Sequence, residues 1–216
     1  MSTKALKIDF VSDVACPWCA VGLGALERAL ETLDGEVQAE LHFQPFELNP
    51  QMAREGEDID EHLSKKYGRS PAEFESARQA IRERGAAVGF TFGERSRIYN
   101  TFDAHRLLHW ADLQSAELQH QLKAALLKAY HGQGRDPSDP AVLAEVAAEV
   151  GLDSARTAQI LASDEFAAEV RATEQHWLRL GINSVPSVVI NDRHLIQGGQ
   201  PPEVFAQALR EIAAAA

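Results

Sequence analysis

The sequence predicts an α/β fold in which both ends of the chain build one mixed sheet, β-α-β … β-β-α, around a large all-helical insertion. Three observations lead there. Strand-like alternation brackets a helical stripe as far as Pro50, a long middle stretch carries helical periodicity, and alternation returns after Gly181. Neither strand region is large enough to stand as a sheet alone, so joining the two is the economical arrangement. Residues 1–57 and 182–216 are therefore expected to form the sheet domain, and residues 58–181 the helical insertion.

Leu6, Ile8 and Phe10 alternate with polar neighbours, as in a half-buried strand. Val21, Leu23, Leu26, Leu30 and Leu33 then recur at helical spacing until Gly35. Val37, Ala39, Leu41 and Phe43 alternate again, and Pro45 halts this second strand. In the middle stretch, Ser70-Pro71-Ala72-Glu73 is a capping box with proline at the first helical position, and Gly89 ends that helix. Asn100 is the expected N-cap of the next, with Asp103 three residues on. Ser115 opens another that stops at Gly132-Gln133-Gly134. Asp139-Pro140 and Gly151 bracket a helix with Leu143, Val146, Ala147 and Val150 on one face, and Ser163 starts a long one running to Gly181. Val185–Ile190 and His194–Ile196 flank Asn191-Asp192-Arg193, a hairpin signal. After Gly198-Gly199, a helix entered through Pro201-Pro202 carries Val204, Phe205, Leu209 and Ile212, and frays over Ala213–Ala216.

The 216 residues hold 21 Lys+Arg against 32 Asp+Glu, a formal net charge of −11, which speaks against a nucleic-acid or anionic-membrane surface. No apolar run approaches the ~20 residues of a membrane span. Met1–Lys7 lacks the apolar stretch of a secretory signal, so a cytoplasmic protein is expected. No G-x-G-x-x-G follows a strand and no phosphate loop is present, so no nucleotide cofactor is expected.

The chain has 2 cysteines, Cys16 and Cys19, placed where the first strand feeds the first helix. Pro17 suits the first turn, where a missing N–H costs nothing, so Cys16 sits at the helix mouth and Cys19 one turn inside. Unpaired N–H groups and the helix dipole favour a thiolate on Cys16, and two sulfurs one turn apart can close a bridge. Cys16 can then attack a substrate disulfide, and Cys19 can resolve the mixed disulfide. Asp13 opposes the thiolate electrostatically, or caps a turn. The competing readings are a pair of small core residues or half of a metal site. A zinc site needs two more ligands; with no further Cys, and with His105 and His109 lacking any H-E-x-x-H context, no metal is expected.

Val185-Pro186 enters the closing hairpin. The proline is either an edge residue or a cis-proline opposite the cysteine helix, which would free the Val185 backbone to pair with an extended substrate. His105 and Arg106 face the cleft between insertion and sheet, with Arg106 favouring an anionic ligand or the Cys16 thiolate, or else belong to a capped packing helix. Trp18 is a tuning residue between the cysteines or a hydrophobic lip for partners. His42, His62, His120, His131, His176 and His194 read as surface or strand-face residues, and Trp110 and Trp177 as core or interface.

With Cys16-Pro17-Trp18-Cys19 at the first βα junction and Val185-Pro186 before the hairpin, the chain resembles the DsbA family of thioredoxin-fold dithiol–disulfide oxidoreductases. It is most similar to the FrnE-like, polyketide-biosynthesis-associated branch. Three segments carry this: Asp13-x-x-Cys16-Pro17-Trp18-Cys19-x-x-Gly22, Asn100-Thr101-x-x-Ala104-His105-Arg106-Leu107, and Gly181-Ile182-x-x-Val185-Pro186 ending in Gly199-Gln200. The resemblance spans essentially the whole chain. It implies a thioredoxin-like fold, Cys16 as nucleophile, Cys19 as resolving thiol and Pro186 as a cis-proline beside them. It further implies a protein or small-molecule dithiol/disulfide substrate and no cofactor. Ser187 and Gly198-Gly199-Gln200 depart from the common pattern and bear on the substrate groove. A second reading is a glutathione-dependent enzyme like the hydroxychromene-carboxylate isomerases or kappa-class glutathione transferases, with glutathione as partner. Those usually have Ser where Cys16 stands and need no second thiol. A third reading is a peptide-binding holdase switched by the disulfide. The apolar stripes of the acidic insertion permit a dimer without requiring one.

Overall fold

In the computed structural model, residues 4–68 and 70–215 are described; residues 1–3 and 216, on which the leader and fraying expectations partly rest, lie outside them. The chain opens with strand β1 (Lys4–Ser12), helix α1 (Pro17–Thr32) and strand β2 (Val37–Pro45). The middle holds β3 (Glu57–Asp58), α2 (Ile59–Tyr67), α3 (Pro71–Ala87), β4 (Arg97–Ile98), α4 (Phe102–Asp112) and α5 (Ala116–Leu127). A π-helical turn, Lys128–Gly132, extends α5, and α6 (Pro140–Glu149), α7 (Ser154–Leu161) and α8 (Ala167–Arg179) follow. The chain closes with β5 (Ser187–Ile190), β6 (His194–Gln197) and α9 (Pro202–Ala215).

The main sheet has the order β2-β1-β5-β6, so strands from the two chain ends do meet in one sheet. β1 is parallel to β2, with Phe10 opposite Phe43, because α1 is the crossover between them. β5 runs antiparallel to β1, with Phe10 opposite Val188, and β6 antiparallel to β5. Asn191 and Asp192 turn the hairpin with φ of 53° and 55°, a region these two residue types tolerate. Asn191 also fixes the register: its Oδ1 accepts the Lys7 N–H at 3.0 Å.

β1 is central, and its residues from Ile8 to Ser12 are buried on both faces. On one face Leu6, Ile8 and Phe10 meet Leu23 and Leu26 of α1 and Phe205 and Leu209 of α9. Each such side chain contributes about 1.5–3 kcal/mol on full burial. On the other face Val11 and Val189 pack against Phe46, Trp177 and Ile182. A further core, around Leu107, Leu122, Leu126, Leu143, Val146 and Ile160, joins α4 to α7. No described helix is long and apolar enough to cross a membrane.

Several boundaries differ from the sequence expectation. Thr101, not Asn100, is the N-cap residue of α4; the Asn100 side chain instead accepts the Phe102 N–H at 2.9 Å, an Asx turn just upstream. Ser163 does not open the long helix. It lies in the turn after α7, itself missing from the sequence reading, and α8 begins at Ala167 after Phe166 at φ 63°. The middle stretch also carries an antiparallel ribbon of β3 with β4, two residues a side and so too short to show alternation.

Candidate active site

Cys16 is the N-cap residue of α1, in extended conformation (φ −88°, ψ 114°), and Pro17 opens the first turn. No side chain caps the helix, and the Cys19 N–H donates to the Cys16 carbonyl at 3.1 Å. Cys19 is sealed at 0% exposure, whereas Cys16 retains 5%. Both are free thiols. The Cys16 thiol lies 3.7 Å from the Val185 carbonyl, and the Val185–Pro186 peptide bond is cis.

The two thiols are driven apart in acidity. The neighbouring Cys19 side chain is the largest influence lowering the Cys16 pKa. Burial opposes it, the N–H groups of Cys19 and Trp18 reinforce it, Asp13 opposes it, and the net direction is down. Burial, followed by the neighbouring Cys16, pushes Cys19 well above the ordinary thiol value.

Asp13 is buried at the end of the preceding strand. Its Oδ1 accepts the Ala15 N–H at 3.0 Å and the Thr101 hydroxyl at 2.7 Å, and its Oδ2 accepts the Leu48 N–H at 2.7 Å. His105 Nε2 lies 3.6 Å from Oδ1. Burial pushes the Asp13 pKa up, but His105 and the two N–H groups outweigh it and the net direction is down. Asp13 thus closes a turn and ties the reactive loop to α4 and to the segment after β2.

Trp18 and Pro17 are half-buried at the rim. The Arg84 guanidinium of α3 lies 5.5 Å from the Trp18 ring and donates to the Gly199 carbonyl. A groove of about 320 Å³ runs beside them, lined by Val21, Ala25, Arg84, Val88, Gln200 and Pro201. A larger cleft, about 680 Å³, lies at the far end of β1 and β2 among Leu6, Glu27, Leu41, Glu117 and His120, and holds neither thiol.

Of the residues singled out in the sequence, the structure brings together Cys16, Cys19, Pro17, Trp18, Val185, Pro186, Asp13 and, behind Asp13, His105. It does not bring Arg106. One residue further round α4, that side chain turns away and donates to the carbonyls of Glu165 (2.8 Å), Ile160 (2.5 Å) and Ser163, and pairs with Asp103 at 2.8 Å. Arg106 therefore locks the α7–α8 turn, as its position about 100° from His105 on the helix dictates. His131, expected at the surface, is wholly buried and donates from Nε2 to the Val14 carbonyl at 2.8 Å. Burial, then Arg95, holds its pKa well below the usual value.

Lys123 was missed. It is wholly buried on α5, its Nζ has no hydrogen-bond partner among the described residues, and its electrostatic partners are Cys19, Asp13 and Cys16. The signal was a lysine inside the apolar stripe of Leu122, Leu126 and Leu127. Among the described residues no cluster of His, Cys, Asp and Glu is arranged to hold a metal ion.

A family model of the DSBA-like thioredoxin domain matches residues 7–210. The fold superposes with a TM-score of 0.89 on the crystal structure of a probable DsbA oxidoreductase from Streptomyces coelicolor, 33% identical, covering 97% of this chain and 90% of that one. An uncharacterised Bacillus subtilis protein is 27% identical over 95% of this chain and 96% of its own length. The cytosolic disulfide reductase DsbM of Pseudomonas aeruginosa, in its structure with GSH, matches at a TM-score of 0.65 and 17% identity, over 96% of this chain and 99% of that one.

Proposed function

The chain belongs to the family of DSBA-like thioredoxin domains, and from that premise we propose that it is a dithiol–disulfide oxidoreductase of the FrnE-like branch, working in the cytoplasm through Cys16 and Cys19. The observation that carries the reading is the asymmetry of the pair: a rim thiol of lowered pKa at a helix mouth, backed by a sealed thiol of raised pKa.

The Cys16 thiolate attacks one sulfur of a substrate disulfide, and the other substrate sulfur leaves as a thiolate. Cys19 then gives up its proton and attacks the Cys16 sulfur. The second substrate sulfur leaves, and two electrons have passed from the pair to the substrate; the reverse sequence oxidises a dithiol. Val185, against the Cys16 sulfur, offers the backbone along which an extended peptide would lie. Trp18, with Arg84 beside it, forms the lip of the adjoining groove. The substrate is a protein or a small molecule bearing a disulfide or dithiol, and glutathione is the small thiol that would recharge or discharge the pair.

The glutathione-dependent isomerase reading gives Cys19 no task. Here the Cys19 side chain is the largest influence lowering the Cys16 pKa, which favours exchange chemistry. The test is turnover on a peptide disulfide with Cys16→Ser and Cys19→Ser. Cys16→Ser is expected to abolish turnover, and Cys19→Ser to accumulate a mixed disulfide on Cys16. Full turnover by Cys19→Ser would overturn the dithiol reading.

A further inference from the structure

Lys123 is a wholly buried cationic side chain to which the exchange mechanism assigns no role. Its position is fixed by its neighbours along α5 and the π-turn that extends it. Leu127, four residues on, packs in the core that holds Cys16, Cys19 and Leu23. His131, eight residues on, donates to the Val14 carbonyl of the reactive loop. The amine therefore stands behind that loop. An ammonium buried without a hydrogen-bond partner is costly, and a methionine of similar length would fill the same space without that cost. Packing does not account for a lysine here.

We propose that Lys123 is the counter-charge of the Cys16–Cys19 pair: its ammonium favours the thiolate form of the reduced pair and so makes the bridge a better electron acceptor. The inference rests on the dithiol reading above. When two glutathione thiols reduce the bridge, its S–S bond breaks and a glutathione disulfide forms. Of the two protons released, one stays on a protein thiol and the other leaves, so the second sulfur is a thiolate facing Lys123. Oxidation removes that charge and leaves the ammonium without it. The titratable groups whose charges act on the amine are Cys16 and Cys19 at the start of α1, Asp13 at the end of β1 and His131 in the π-turn. Asp13 disfavours a thiolate on Cys16, whereas the charge on Lys123 favours one on Cys19. Lys123 acts through the sulfurs and is thus a positioning residue.

The test compares wild type, Lys123→Met and Lys123→Arg in two readouts: thiolate absorbance of the reduced protein against pH, and the equilibrium constant with glutathione from acid-trapped thiols weighed by mass. Lys123→Met is expected to raise the pH midpoint of the thiolate and to shift the equilibrium roughly tenfold toward the bridge, about 30 mV more negative for two electrons. Lys123→Arg keeps the charge and is expected to stay near wild type. A Lys123→Met protein with both readouts unchanged overturns the proposal, whatever its stability does. Should that variant fail to fold, a Lys123→Arg protein shifted as far as expected for methionine overturns it too. A wild type that forms no bridge brings down the dithiol reading itself; a normal bridge with an indifferent Lys123→Met brings down only the role of Lys123.

Discussion

At the scale of single residues, the chemistry turns on how Cys16 is surrounded. Its pKa lies below the ordinary thiol value because the Cys19 side chain, and then the backbone N–H groups of Cys19 and Trp18, outweigh burial and Asp13. Alkylation of the reduced protein by iodoacetamide should therefore label Cys16 at a pH below the free-cysteine midpoint of about 8.5, leaving Cys19 unlabelled in peptide mapping. Asp13 works in the opposite sense on the thiolate and for the fold. Its own pKa is lowered in the folded chain, so its contribution to stability is present above the ordinary carboxylate value and lost as pH falls through the depressed one. Asp13→Asn should lower the Cys16 midpoint further. It should also cost roughly 1–3 kcal/mol at neutral pH by weakening the ties to Ala15, Leu48 and Thr101, read by urea unfolding, and blunt the acid limb of the stability curve. Cys16, Pro17 and Cys19 were legible in the sequence because a helix mouth is a local feature. Lys123, His131 and the direction of Arg106 were not, since each depends on which helix packs behind the loop.

At the scale of elements, α1 must approach the hairpin closely for Pro186 to stand by the thiols. Gly22 permits that approach: a Cβ there would come within 2.9 Å of Pro186 Cγ and 3.4 Å of Gly199 Cα. Gly22→Ala is expected to cost roughly 1–3 kcal/mol by overpacking and to slow disulfide exchange while leaving the Cys16 titration near wild type; an unchanged exchange rate would contradict this. On the other sheet face, Arg171 of α8 pairs with Glu47, and with Glu174 at 2.9 Å. Burial is the largest cause raising the pKa of both carboxyls. Groups raised in this way favour the fold when protonated and cost stability as pH rises through their folded values. Glu174→Gln should therefore raise Tm at neutral pH, with a gain that shrinks on acidification. Strand β2, helix α9 and the hairpin were legible because each has one face in the core and clear stops. Helix α7 and the β3–β4 ribbon were not, being too short for periodicity to register.

At the scale of the whole molecule, the segment between the two halves of the sheet does more than cover it. Thr101 and His105 engage Asp13, His131 holds the Val14 carbonyl, Arg84 rests against Trp18, and Lys123 stands behind the thiols. The sheet supplies the cysteine helix and Pro186; the intervening helices set the polar surroundings of the loop. The pairing of the chain ends could be read from alternation at both termini. The helical stretch's contribution to the site could be read only where motifs marked it, at Asn100–Leu107. On the dithiol reading, Cys16 and Cys19 act as one reversible redox pair. That reading is tested most directly by equilibrating the purified protein across a series of reduced-to-oxidised glutathione ratios, trapping thiols with acid and alkylator, and weighing the products. Both thiols are expected to be lost together, with a single midpoint and no lasting adduct. A single glutathione held on Cys16, with Cys19 free at every ratio, would contradict it.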